Sequence, residues 1–236
     1  MTRKRTLMER FDDWVTDPAV RRSGVDAFLA DSSRVGERYL DRYVVWQSSG
    51  TTAEQGIFVQ DAAALEVYDA LIAVQMGGGR IASHCFAGLV KGGRAALIAA
   101  TSGHFASIAS WQRTCGALPG LGARSFSIGA PMPELVRQLN AFGPAYLATY
   151  PAMLQLLGDE RRAGRLRVYP SVVWSGGESL APSARIALER AWGCPVVNEY
   201  GASECMSIAF GCSEDWLHVN AEWVLVEPVD ADDRPV

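Results

Sequence analysis

The chain has 236 residues, 49% of them hydrophobic and 20% charged, and carries a formal net charge of -4. That balance is ordinary for a globular protein and leaves enough chain to bury a core as one large domain or two small ones. It argues against a nucleic-acid partner, because the only basic clusters are Arg3, Lys4 and Arg5 with Arg21 and Arg22 further on, and these read as a solvated helical face.

The first forty residues are polar, with Leu7, Phe11, Trp14 and Val15 at helical spacing, and predict helices packed outside a core. From Tyr43 onward, short Val- and Ile-rich runs alternate with helical patterns. Strands are expected at 43–47, 56–60, 95–100, 123–128, 145–149, 170–174 and 195–199, and helices at 61–76, 104–115, 132–142, 151–163 and 181–192. Asp61 reads as a helix cap, and Pro131, Pro133 and Pro151 as helix openers, since the first turn has no use for the missing N–H. Strand alternating with helix gives an α/β fold class, mainly parallel sheets flanked by helices. Beyond Tyr200 the pattern is strand-like again at 207–210, 217–219 and 222–227, which predicts the start of a further small β region at the C-terminal end. The expected division is a helical segment over 1–42, an α/β core over 43–204 and a β-rich subdomain begun over 205–236, where the closing Asp-Ala-Asp-Asp-Arg-Pro-Val reads as a turn caught midway. No apolar run reaches the ~20 residues of a membrane span, and the charged N-terminus lacks the apolar stretch of a signal peptide. A cytoplasmic location is therefore expected, and the five scattered cysteines suit reduced thiols.

Three segments carry chemistry. The first, Trp46-Gln47-Ser48-Ser49-Gly50-Thr51-Thr52, runs from a strand into a loop that offers hydroxyls and backbone N–H groups of the kind that cradle phosphate oxygens; a plain polar turn is the competing reading. It is not a Walker loop, because no Gly-Lys-Ser/Thr follows. The second, Trp174-Ser175-Gly176-Gly177-Glu178, sets two glycines at a strand's carboxyl end, where a flat ligand can approach the backbone; a loop with a helix-start glutamate is the alternative. The third, Asn198-Glu199-Tyr200-Gly201-Ala202-Ser203-Glu204, places a ring that can stack, a hydroxyl and a carboxylate suited to Mg2+ within five residues; a strand-end turn with an exposed acid is the alternative.

In order and spacing these segments resemble the adenylate-forming superfamily of acyl- and aryl-CoA ligases, and within it the phenylacetate–CoA ligase-like branch, N-terminal part only. The stretch from Gly211-Cys212 to Leu217-His218-Val219 and Glu227-Pro228-Val229-Asp230 adds to the likeness, which covers residues 40–236. The resemblance implies that Ser48, Ser49, Gly50, Thr51 and Thr52 grip the β- and γ-phosphates of ATP. It implies that Gly176, Gly177 and Glu178 line the adenine, that Tyr200 stacks on it beside Gly201, that Ser203 meets the α-phosphate and that Glu204 binds Mg2+. His104, Phe105, Tyr150 and Trp174 are the candidates for an aromatic-acid pocket, against core packing as the plain alternative. The implied reaction converts an aromatic carboxylate to an acyl-adenylate and then a thioester, with coenzyme A or the phosphopantetheine of a carrier protein as acceptor. Positions 53–55 are Ala-Glu-Gln where relatives carry Gly-Lys-Pro, which removes one phosphate contact. The family's ribose-binding aspartate and its mobile domain with the catalytic lysine map to nothing in this sequence, so the chain reads as truncated. A non-catalytic binding module and a structural fragment are the rival readings, and the apolar seam of such a fragment allows a homodimer. Cys205, Cys212 and His218 raise a structural zinc, but Cys-x6-Cys-x5-His is not a standard zinc spacing, and buried thiols with a satisfied histidine are the competing reading.

Overall fold

A computed structural model describes residues 3–48, 55–117, 122–212, 214, 216–232 and 234–236. Three short helices open the chain, α1 (Lys4–Glu9), α2 (Phe11–Trp14) and α3 (Arg22–Ala30), with a 3-10 turn at Ser32–Arg34. Their inward positions, Met8, Phe11, Val25 and Phe28, are buried with Tyr39, Tyr43, Val45 and Ile57. α1 and α2 part at Arg10, whose φ of -116° and ψ of 34° leave the helical region. Strands β1 (Val44–Gln47) and β2 (Ile57–Gln60) then pair antiparallel as a two-stranded ribbon.

Asp61 accepts the Ala64 N–H at 2.8 Å and caps α4 (Ala62–Gly77), as its position predicted. A second helix, α5 (Gly79–Val90), follows where sequence reasoning assigned no element. Gly77-Gly78-Gly79 looks like a terminator, yet Gly79 at φ +46° serves as a corner between two helices. What holds α5 is tertiary: a Cβ at Gly88 would fall 2.5 Å from the Tyr146 ring, so only glycine permits this approach, and the Tyr146 hydroxyl donates to the Cys85 carbonyl.

The main sheet contains β3 (Ala95–Ala99), β4 (Ala123–Ser127), β5 (Tyr146–Thr149), β6 (Val172–Ser175), β7 (Val196–Tyr200), β8 (Ala209–Gly211) and β9 (Leu217–Val219) in the order β4-β3-β5-β6-β7-β8-β9. The first five are parallel, and β8 and β9 add antiparallel at the β7 edge. Helices α6 (Ala106–Ala117), α7 (Met132–Phe142), α8 (Pro151–Arg162) and α9 (Pro182–Trp192) fill the crossovers. One face of the sheet buries Ile98, Leu147, Val173 and Val196 under Leu135, Leu154, Leu157 and Trp192 from α7, α8 and α9. Each such side chain stabilises by roughly 1.5–3 kcal/mol, which is why these strands read as unbroken apolar runs. The other face sets Leu97 and Ala99 against Ile108 of α6. The expected α/β fold is therefore present, and the small C-terminal β region joins the main sheet.

One expected strand is absent. At 222–227 the N–H groups of Trp223 and Val224 both bond to the Asn220 carbonyl, and this turn withdraws them from any ladder. All five thiols are free. Among the described residues no helix is long and apolar enough to cross a membrane.

Candidate functional site at the carboxyl edge of the sheet

Parallel strands deliver their carboxyl ends to one edge, and the expected segments meet there because the topology leaves them no other place. β5 hands over to Tyr150 and Pro151, β6 to Gly176, Gly177 and Glu178, and β7 ends at Tyr200, ahead of Gly201–Glu204. The ribbon reaches the same edge by its first strand. The Gln47 N–H donates to the His104 carbonyl at 2.7 Å, and Gln47 bridges Phe105 in parallel register. The Ser48 hydroxyl accepts the Gly56 N–H at 2.8 Å, and the Gly56 carbonyl accepts the Ser48 N–H, so Ser48 closes the neck of the hydroxyl-rich segment. Ser49, Gly50, Thr51 and Thr52 lie outside the described residues.

The third segment is a tight turn. Tyr200 is 52% exposed. A Cβ at Gly201 would lie 1.8 Å from the Met206 carbonyl oxygen, so no residue but glycine fits. Ala202 and Cys205 exchange backbone hydrogen bonds, and the Ile208 N–H returns to the Tyr200 carbonyl. Ser203 is half-buried and Glu204 exposed. Among the described residues the Glu204 carboxylate has no ion pair, which leaves its oxygens available to a hard cation.

Beneath the turn lies a group to which the sequence reading gave no role. The Glu199 carboxylate accepts the Trp174 indole N–H at 2.5 Å and the Ser207 hydroxyl at 3.2 Å. Burial pushes this carboxyl above the usual range, and the two donors pull it partly back. Glu199 thereby ties β6, β7 and the start of β8 together under the site. Its place in a strand of period two, one residue from an exposed Tyr200, was the available signal.

One expectation needs correction, and one residue has a role besides the expected one. His104 is fully buried, its Nε2 within 2.9 Å of the Asp31 carbonyl and its ring 5.1 Å from that of Phe28, so it belongs to the interior beside α3 and lines no open pocket. Glu178 accepts the Ala152 N–H at 3.1 Å across from β6. It caps α8, whose opening N–H groups have no helical partner. The remaining pocket candidates are half-buried. Tyr150 and Trp174 stand at the edge, the Tyr150 ring 2.9 Å from where a Gly177 Cβ would be and Trp174 edge-on to Phe210 at 6.1 Å. Phe105, half-buried like Tyr150, packs with it against the apolar cluster around Ile108.

Nor do the candidate zinc ligands converge. Among the described residues no three His, Cys, Asp or Glu side chains form a metal-binding group. Cys205 packs against the cluster containing Tyr68, the Cys212 sulfur accepts the Glu214 N–H, and His218 is exposed on β9 opposite Phe210.

No protein-family model matches the chain, and no curated protein sequence matches it. Solved structures do. The chain is similar to 2-hydroxyisobutyryl-CoA ligase in complex with 2-HIB-AMP and CoA, at a TM-score of 0.56 and 23% identity, over 83% of this chain and 41% of that one. It is also similar to the anthranilate CoA ligase AuaEII in complex with anthranoyl-AMP, at a TM-score of 0.53 and 15% identity, over 81% of this chain and 36% of that one. A third is the O-succinylbenzoate coenzyme A synthetase MenE of Bacillus subtilis in complex with ATP and magnesium ion, at a TM-score of 0.51 and 18% identity, over 72% of this chain and 32% of that one. The chain thus spans about two fifths or less of the length of these ligases, and over that length it shares their α/β fold.

Proposed function

We propose that the chain takes part in ATP-dependent activation of an aromatic carboxylic acid, first to an acyl-adenylate and then to a thioester. The observation that carries this reading is the meeting of three sequence-distant segments, at Ser48, at Gly176–Gly177 and at Tyr200–Glu204, on one carboxyl edge, fastened by a hydrogen bond from Trp46 to Ser203. In this reading a carboxylate oxygen of the acid attacks the α-phosphorus of ATP, and the bond to the β-phosphate oxygen breaks, releasing pyrophosphate. A thiolate of coenzyme A or of a carrier-bound phosphopantetheine then attacks the acyl carbon, and AMP leaves. No side-chain nucleophile is required; the residues orient reactants and offset phosphate charge.

Ser48, Ser49, Gly50, Thr51 and Thr52 hold the outer phosphates, Gly176 and Gly177 give the adenine its flat approach, and Tyr200 stacks on it. Ser203 meets the α-phosphate. Glu204 would hold Mg2+, which supplies neutralisation of phosphate charge when bound. Tyr150 and Trp174 make the neighbouring wall aromatic, which supports a planar acid over a long acyl chain. A location in the cytoplasm, where ATP and coenzyme A are at hand, agrees with this chemistry.

The span of two fifths of the matched ligases favours a second reading, a nucleotide- and acid-binding module whose turnover depends on parts beyond this chain. Carboxylate-dependent ATP–pyrophosphate exchange with Mg2+ and a panel of benzoic, hydroxybenzoic and phenylacetic acids separates the two. Exchange with one acid establishes adenylation and names the substrate. Nucleotide binding without exchange supports the module, and absence of both overturns each reading.

A further inference from the structure

The amino edge of the sheet, opposite the candidate site, gathers cations in a chain of net charge -4. Arg161-Arg162-Ala163-Gly164-Arg165-Leu166-Arg167 leads from α8 toward β6, and Lys91 and Arg94 precede β3. Residues 165–170 form neither helix nor strand. Leu166 and Val168 are each 2% exposed and join the core, whereas Arg165, Arg167 and Tyr169 are exposed. Such alternation sets three side chains outward on one side of an extended chain, roughly 6.6 Å apart. Asn140 clamps this segment, its Nδ2 donating to the Arg165 carbonyl at 2.8 Å and its Oδ1 accepting the Arg167 N–H at 2.6 Å. Arg162 and Arg165 meet Asp159 and Glu160. Three other cations are pinned on carbonyls: Arg161 on Ala191 at 2.5 Å, Arg94 on Gly143 at 3.1 Å and Lys91 on Tyr169 at 3.4 Å. A carbonyl fixes a cation without cancelling its charge. Among the described residues the Arg167 side chain has no partner.

Helix dipoles account for Arg161 and Arg162 at the end of α8, but Arg94, Arg165 and Arg167 stand outside any helix. The charge borders an apolar face. Val90, 74% exposed, precedes Lys91, and the exposed Phe86 and Leu89 share its side of α5. The Arg161 guanidinium lies 4.8 Å from the Tyr169 ring centroid and covers that face of the ring, leaving no room there for a stacked base. Fixed arginines beside exposed apolar side chains therefore fit a polypeptide better than a sugar–phosphate chain. We propose that this edge docks an extended acidic segment of a partner protein, with carboxylates at alternate positions against Arg165 and Arg167 and apolar side chains against α5. Alternate side chains of an extended peptide repeat at the same ~6.6 Å, so the two rows match in spacing as well as in charge. The surface lies at the edge away from the nucleotide site, and it stands or falls without the adenylation reading.

The test is fluorescence anisotropy of labelled probes titrated with the full 236-residue chain. One peptide alternates glutamate with threonine and closes on a leucine pair. A second has the same composition with its glutamates gathered in one block, and the third probe is single-stranded oligothymidylate. The alternating peptide should bind most tightly, and its affinity should fall as salt is raised. Arg165→Gln and Arg167→Gln should each weaken that binding roughly three- to tenfold with circular dichroism unchanged. Equal affinity for the two peptides would mean attraction by net charge alone and overturns the proposal. Tighter binding of the oligonucleotide overturns it as well, by assigning the edge to nucleic acid, and so does absence of peptide binding or full binding by both variants. Arg165→Gln releases Glu160, so Arg167→Gln, which breaks no side-chain bond, carries the test should Arg165→Gln fold poorly.

Discussion

At Gly201 the backbone of residue 206 occupies the place where any other residue would put its Cβ, and a carbonyl oxygen cannot swing aside as a side-chain tip can. Gly201→Ala should therefore lower stability by about 2–3 kcal/mol in chemical denaturation. A loss under 0.5 kcal/mol would show that the turn is looser than drawn. Glu199 gives a second prediction. Its folded-state value is raised, so the folded chain holds this proton more tightly than the unfolded one. The resulting stability is present below the unfolded value of about 4.3 and is lost as pH rises through the raised value. Asp17, Asp31, Glu134 and Glu160 are lowered and act in the opposite sense, so the comparison must be a difference. Stability of the unaltered chain minus that of Glu199→Gln should fall as pH rises from 4 to 8; a flat or rising difference would contradict the burial argument. In the sequence the residue types of the third segment were legible, whereas the roles of Glu199 and His104 were not. Both depend on partners, Ser207 and Asp31, that only folding brings near.

Among the elements, strands were easier to read than helix junctions. β3, β5 and β6 are apolar on both faces and bounded by glycine, proline or polar residues, so local composition specifies them. α5 escaped because Gly77-Gly78-Gly79 signals an end, and what restores helix afterwards is contact with Tyr146 on a strand far along the chain. The missing strand at 222–227 is the reverse case: alternation favoured it, but the Asn220 turn captured its first donors. Glu178 was legible as a helix-start residue, yet the helix it caps is α8, 26 residues earlier. Glu178→Ala should cost about 0.5–1 kcal/mol with no nucleotide present. Should the variant be as stable as its parent yet weaker for AMP, the adenine-facing role implied by resemblance would stand instead.

For the whole molecule, order is distributed unevenly. The parallel sheet is enclosed by helices, while Trp216 is 73% and Leu225 86% exposed near the C-terminal end, where Glu222 and Glu227 sit in exposed chain without a ladder. A glutamate-specific protease should cut at Glu222 or Glu227 before it reaches Glu160, Glu189 or Glu199, as mass spectrometry of early digests would reveal; early cuts inside α8, α9 or β7 would refute this ranking. The overall architecture followed from alternating element types alone. The convergence of the site did not, since Trp46 meets Ser203 only once the ribbon has been laid across the sheet.

The turn between β7 and β8 behaves as an arch. Its feet are pinned where Tyr200 pairs with Ala209, the Ala202–Cys205 hydrogen bonds brace its crown, and Trp46 and Tyr68 buttress it from outside. An arch pinned in this way has no slack. Adding or deleting one residue would slip the β7–β8 register and send Phe210 from the interior to the surface. Diversity in this turn is therefore closed to change of length, and open to exchange of side chains only outside Gly201.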